Sequence, residues 1–318
     1  VRIEKQKKMK TKILGIAMMM TAGFAFGQLP STGVSPSNVL DGLYVQQHIP
    51  TKKVVSYAPL READVMWSKR VWRTIDVQQK LNFPLFYPRE PLTDRMALWD
   101  IIKYGIEEEG SLTPYELNGD GKFDFDGEFL YPLTSNGNPN DTAYITSRDN
   151  LLYSTSTVIK LDENGEPALD NEGYEEYITD KNAITADQIV KYYVKEDWFF
   201  DKQRSVMDVR IIGISPVIKE YDENGEMKEG EKQLFWLYFP ECRYVFQNYF
   251  VYNRKNDAQR MSFDDLFWKR MFTSFIHKES NVYDREIGRY ENNGVKALLE
   301  SERIKNEMLI IEHDLWHL

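Results

Sequence analysis

Apolar residues recur at helical spacing in the stretch that follows the first sixty residues. Trp67, Val71 and Ile75 are each four positions apart, and basic side chains lie between them. Spacing of this kind places apolar side chains along one side of a helix. It predicts an amphipathic helix from residue 61 to about residue 81.

Further helices are predicted from the same spacing and from N-cap residues. One covers residues 93–110, and a closing helix covers residues 295–316. Ser262 is a suitable N-cap for another helix. The stretch Thr185–Gln188 fits a capping box, which predicts a short helix that continues to about residue 195.

Two Asn-Gly pairs predict β-hairpins, in Asp162–Gly165 and in Asp222–Gly225. Apolar strands over residues 209–214 and 234–239 flank the second pair. Residues 110–150 are rich in Gly, Asp, Asn and Pro, which is typical of a loop-rich insertion. Helices beside hairpins predict an α+β fold, in which antiparallel hairpins pack with several amphipathic helices after an extended N-terminal arm.

The N-terminal region has the pattern of an exported protein. Residues 1–27 combine six basic side chains, an apolar run and small residues at Ala25 and Gly27, which predicts a signal peptide whose first residue is Val1 or Met9. Residues 28–60 contain four prolines and no helical period, and we interpret them as an extended arm. Residues 61–318 are then a single α+β domain.

Cleavage after Gly27 is the first testable expectation. Peptidase pockets need small residues at the positions that Ala25 and Gly27 occupy, so the processed protein should begin at Gln28. Mass spectrometry of periplasmic protein checks this, and a protein that retains residues 9–27 would contradict it.

Composition and charge exclude several classes of function. The 318 residues have a formal net charge of −10, which opposes binding to nucleic acid. Cys242 is the only cysteine, so neither an intrachain disulfide nor a cysteine metal cluster can form, and its apolar surroundings predict burial. No nucleophile or phosphate-binding motif is present, and no second apolar run is long enough to span a membrane. We predict a protein without catalytic or cofactor-binding residues.

The acidic stretch 116–128 is the strongest metal-binding candidate. With Gly121 at the sixth position of a calcium loop, Asn118 and Asp120 supply oxygen ligands at the third and fifth positions, and Asp124 is a further candidate. The twelfth position is a glycine, where a calcium loop needs glutamate, so an acidic surface turn is the preferred interpretation. The alternative function is a secreted calcium-dependent binding module. His313 and His317 have metal-ligand spacing, but solvent-facing histidines explain them better.

A basic and aromatic cluster is the candidate for partner binding. Its members are Trp67, Lys69, Arg70, Trp72 and Arg73. In an acidic chain that carries an export signal, such a cluster fits an acidic protein surface better than nucleic acid. Core packing is the alternative for the two tryptophans.

Three strings of residues resemble a known family. They are Trp67–Asp76, Val194–Lys202 with Arg210–Pro216 after it, and Leu237–Arg243. Together they are similar to the GldN/PorN family of gliding-motility proteins, which belong to the type IX secretion system of Bacteroidetes.

The resemblance implies a periplasmic scaffold without enzymatic activity. Members of that family associate in rings with an outer-membrane lipoprotein of the GldK/PorK type. They also contact the inner-membrane motor protein of the GldM/PorM type. The expected partners are therefore these two proteins and further copies of the chain.

Overall fold

The computed structural model describes most of the chain after residue 52. Its range is 53–315, with gaps at 93–94, 118–127, 136–137, 139, 160–176, 222–226, 255, 257 and 292. The predicted signal peptide, residues 28–52 of the predicted arm, and Asn118, Asp120 and Asp124 lie outside the described residues. All described residues fall in one compact unit, Ile49–Leu318. No helix among them is long and apolar enough to cross a membrane.

Antiparallel strands and helices confirm the α+β prediction. The strands are β1 (Val65–Asp76), β2 (Pro114–Tyr115), β3 (Tyr153–Ile159), β4 (Tyr177–Ala183), β5 (Ile189–Asp201), β6 (Val206–Tyr221), β7 (Met227–Gln233), β8 (Trp236–Tyr238), β9 (Phe250–Val251), β10 (Met261–Ser262) and β11 (Phe275–Glu279). The helices are α1 (Phe83–Phe86), α2 (Leu98–Glu107), α3 (Thr142–Leu152), α4 (Phe239–Phe246), α5 (Phe263–Trp268), α6 (Ile287–Tyr290) and α7 (Gly294–Leu315).

One large antiparallel sheet organises the fold. Its strand order is β11-β1-β5-β6-β8-β2, and β7 pairs with the end of β6. The long strands β1, β5 and β6 form its centre. Two smaller sheets pair β3 with β4 and β9 with β10.

The predicted first helix is wrong, because residues 65–76 form strand β1. Four is a multiple of two, so side chains four positions apart also share one face of a strand. The spacing of Trp67, Val71 and Ile75 therefore fits both structures. The β-branched and aromatic residues of this stretch favour the strand, and pairing with β5 on one side and β11 on the other stabilises it.

The capping box at Thr185 is present, but the helix after it is much shorter than predicted. A single 3₁₀ turn covers Ala186–Gln188, and β5 begins at Ile189. Valine and tyrosine residues crowd this stretch, and their side chains pack better on a pleated sheet. At Ser262 the cap is confirmed, since its Oγ accepts a hydrogen bond from the Asp265 backbone N–H at 3.1 Å.

The two other long helices are confirmed with shifted ends. Helix α2 begins at Leu98, five residues later than predicted, and α7 matches the predicted closing helix. Ile304 and Met308 of α7 are buried as predicted, whereas Leu298 is exposed. The loop-rich stretch 110–150 also contains the start of α3, capped by Asp141. Apolar residues are not gathered on one side of α3, so the hydrophobic pattern did not predict it.

Both predicted hairpins correspond to antiparallel strand pairs, while their Asn-Gly turns lie in the gaps of the description. Strands β3 and β4 pair over seven residues each. Strand β6 pairs with β7, so the strand that follows the second turn is Met227–Gln233, not residues 234–239. The predicted segment forms β8 and the start of α4 instead.

The core lies between the sheet and its helices. The larger apolar cluster includes fully buried Trp99, Phe235, Phe246 and Cys242, which confirms the predicted burial of the cysteine. Each large side chain of this kind contributes about 1.5–3 kcal/mol on burial. A smaller cluster joins Val71 of β1 to Ile304 and Met308 of α7. The pairing of β1 with β11 and the packing of α7 therefore form one end of the fold.

Candidate functional site

The five predicted partner-binding residues lie on β1, and the strand divides them between two faces of the sheet. Trp67, Lys69 and Arg73 lie on the face that α7 covers, whereas Arg70 and Trp72 lie on the opposite face. The sequence cluster is therefore not a single surface. Each face combines these residues with different neighbours.

On the face covered by α7, a buried carboxylate organises a network of charges. The side chain of Glu196 is fully buried, and its oxygens lie 3.0 Å from Arg73 Nε and 2.9 Å from an Arg270 terminal nitrogen. Trp198 Nε1 donates a hydrogen bond to the same carboxylate at 3.0 Å. Desolvation lowers the pKa of Arg73, and the Glu196 carboxylate opposes this shift. The paired charges hold β1, β5 and the loop after α5 together.

A cavity of about 550 Å³ adjoins this network. Arg73, Trp198 and Arg270 line it from the sheet side, and Glu302 and Met308 line it from α7. The guanidinium groups of both arginines lie over the Trp198 ring, at 5.7 and 5.4 Å from its centroid. Since these cations already contact Glu196, the cavity wall is electrostatically satisfied by the chain itself.

On the opposite face, Trp72 is a core residue. Its side chain is 4% exposed, and the ammonium groups of Lys195 and Lys278 lie 5.8 and 4.8 Å from its ring. Arg70 is half-exposed and makes two hydrogen bonds to Asp197, at 2.6 and 2.7 Å. Of the five candidates, Arg70 is the one whose charge is most accessible.

Residues 53–60, the last part of the predicted arm, contact the domain. The Tyr57 ring stacks on Trp268 at 5.4 Å, and the Arg243 guanidinium lies 4.5 Å from the Tyr57 ring centroid. Arg243 also donates to the Val55 carbonyl at 2.7 Å. Arg243 is itself fixed by Asp264, at 2.8 Å, in a nearly buried pair. This end of the arm therefore has a defined binding position next to α5.

A groove with aromatic walls and a cationic rim opens between the segment around α1 and the turn after β9. We call it the basic aromatic groove. Its volume is about 580 Å³, and its described lining consists of Lys80, Phe83, Pro84, Tyr87, Pro88, Leu92, Arg95, Tyr252 and Arg254. The apolar members Phe83, Tyr87, Leu92 and Tyr252 are all exposed, by 38% to 51%. Sequence reasoning missed this groove, although the string Phe83–Pro88 is visibly rich in aromatics and proline.

Groups that could support catalysis are scattered over different elements. Burial raises the pKa of the Cys242 thiol far above its usual range. Desolvation, with Lys278 and Lys191 nearby, lowers the pKa of His277 to about 3, so its ring is neutral at pH 7. Desolvation raises the pKa of Asp100, on α2, to about 6. Within the described ranges, no three potential metal ligands come together.

The comparison with known proteins assigns the family. A family model described as gliding motility associated protein GldN matches residues 60–317. The chain belongs to the GldN family. Among curated proteins, no sequence matches it. The match spans all the elements described above, from β1 to α7, and confirms the family resemblance of the sequence strings. This GldN family member is a gliding-motility-associated protein.

Proposed function

We propose that this GldN family member is a non-enzymatic scaffold subunit of the type IX secretion and gliding machinery in the periplasm. It forms a ring complex with further copies of itself and with an outer-membrane lipoprotein of the GldK/PorK type. It also contacts an inner-membrane motor protein of the GldM/PorM type. The family match over residues 60–317 is the observation on which the proposal rests. The predicted signal peptide supports the compartment.

Exposed apolar side chains support a function in protein binding. The outer side of α7 exposes Val295, Leu298, Leu299, Leu309 and Ile310, each by more than half of its surface. Apolar side chains grouped on one element are typical of surfaces that contact other proteins. The buried charges, in contrast, pair with each other inside the domain, as Arg73 does with Glu196 and Arg243 with Asp264.

Deleting residues 31–52 is expected to leave a folded domain and to reduce co-purification with the lipoprotein by about tenfold. The deletion ends before Lys53, so the contacts of Val55 and Tyr57 with Arg243 are retained. A proline-rich segment loses less entropy than a flexible one when a partner orders it, so its removal should weaken binding. Thermal unfolding by circular dichroism checks the fold, and affinity capture from the cell envelope measures the lipoprotein.

A chain in which a Gly/Ser linker of equal length replaces residues 31–52 is the matched control. It should bind as weakly as the deletion, because it preserves length and removes the chemistry. Full capture by both variants would show that the segment is a passive linker. Failure of the intact chain to capture any lipoprotein would contradict the scaffold proposal itself.

A further inference from the structure

We propose that the basic aromatic groove binds the acidic segment 116–128 of a second copy of this chain. The inference rests on the proposed function, because it identifies one contact through which copies associate. The groove is exposed, and the segment contains the side chains that complement it in both charge and shape.

The groove is unusual in its charge for so acidic a chain. Its described lining contains three cations, Lys80, Arg95 and Arg254, and no carboxylate, whereas the whole chain has a net charge of −10. The Arg95 guanidinium lies 5.4 Å from the Tyr252 ring centroid, and Arg254 donates to the Lys80 backbone carbonyl. The cations are therefore held at the edge of the aromatic wall. An occupant with apolar rings and adjacent carboxylates fits this arrangement.

Segment 116–128 has this composition. It contains five carboxylates and a single lysine, and Phe123 and Phe125 alternate with Asp124 and Asp126. Phenylalanine rings can contact the walls formed by Phe83, Tyr87 and Tyr252. Neighbouring aspartates can then pair with the rim. Charge-assisted hydrogen bonds between guanidinium and carboxylate groups are about twice as strong as neutral ones.

The sheet topology favours a second copy as the source of the segment. The segment follows β2, at one edge of the large sheet, whereas the groove lies beyond the end of β1. The order β1-β5-β6-β8-β2 separates the two strands by four steps, which is about 19 Å at the usual strand spacing. Two different patches on one chain produce a head-to-tail contact when copies associate, and such contacts build rings.

A peptide-binding measurement tests the contact directly. A fluorescent peptide of residues 116–128 is titrated with the mature chain, in EDTA to exclude calcium, and its anisotropy is followed. We expect saturable binding that weakens about tenfold in the Lys80→Glu, Arg254→Glu double variant. Matched peptides with Asp124→Asn and Asp126→Asn, or with Phe123→Ser and Phe125→Ser, should weaken binding similarly. Equal binding by all variants, or none by the wild-type chain, would overturn the proposal.

Self-association of the full chain separates this contact from the function on which it rests. Sedimentation velocity should show less association for Arg254→Glu and for Asp124→Lys, and recovery when both changes are combined. Association unaffected by these changes would overturn the groove contact and leave the scaffold proposal intact. Recovery confined to monomers, seen as stronger peptide binding after deletion of the chain's own segment without any change in association, would also overturn it. Loss of lipoprotein capture by the intact chain contradicts the scaffold proposal and not the peptide result.

Discussion

Replacing Glu196 with glutamine is expected to destabilise the domain by about 3–5 kcal/mol, the range found when one partner of a buried ion pair is removed. The Glu196 side chain is fully buried and faces the guanidinium groups of Arg73, which is 7% exposed, and Arg270. Glutamine preserves size but removes the charge, so two nearby cations would remain without their anion. Urea unfolding followed by circular dichroism measures the loss.

The next residue on the same strand provides the control. Asp197 points to the opposite face, where it pairs with Arg70, and both side chains are substantially exposed, at 30% and 43%. Exposed pairs contribute about 0.2–1 kcal/mol, so Asp197→Asn should cost no more than that. Similar losses for the two variants would contradict a special structural contribution of the Glu196 network.

The comparison of β1 with its sequence shows which part of this fold was predictable. Spacing by four residues correctly grouped Trp67, Val71 and Ile75, but it did not distinguish a helix from a strand, because both place such residues on one side. The choice depends on β5 and β11, which are distant in sequence and supply the hydrogen bonds of β1. Local capping signals were more reliable, as at Ser262, because the groups that form the cap are only three residues apart.

The binding surfaces were predicted less well than the family for a similar reason. The basic residues around Trp67 were adjacent in sequence and were interpreted as one cluster. Their charges pair with residues far along the chain, Lys69 with Glu279 and Arg70 with Asp197. The groove, in turn, combines the segment around Phe83 with Tyr252, two regions that only the folded chain brings together. Neither arrangement follows from spacing alone.

Replacing Trp72 with alanine is expected to destabilise the domain by about 3–5 kcal/mol, as for other large buried aromatics. The Trp72 side chain is 4% exposed, and its ring lies close to the ammonium groups of Lys195 and Lys278. Alanine would leave a cavity and would also remove the ring that these two cations contact. Urea unfolding measures the change in the free energy of unfolding.

The same variant distinguishes a core residue from a partner anchor. Within the described part of the chain, no group accepts a hydrogen bond from Trp72 Nε1, so Trp72→Phe should retain the ring contacts and cost less than alanine. Met66, which is 59% exposed on the same strand, is the surface control, and Met66→Ala should change stability by about 0.5 kcal/mol or less. If Trp72 acts through the core, lipoprotein capture by the Trp72→Phe chain should match that of the wild type. Loss of capture with unchanged stability would instead make Trp72 a direct contact, which its burial between β5 and β11 opposes.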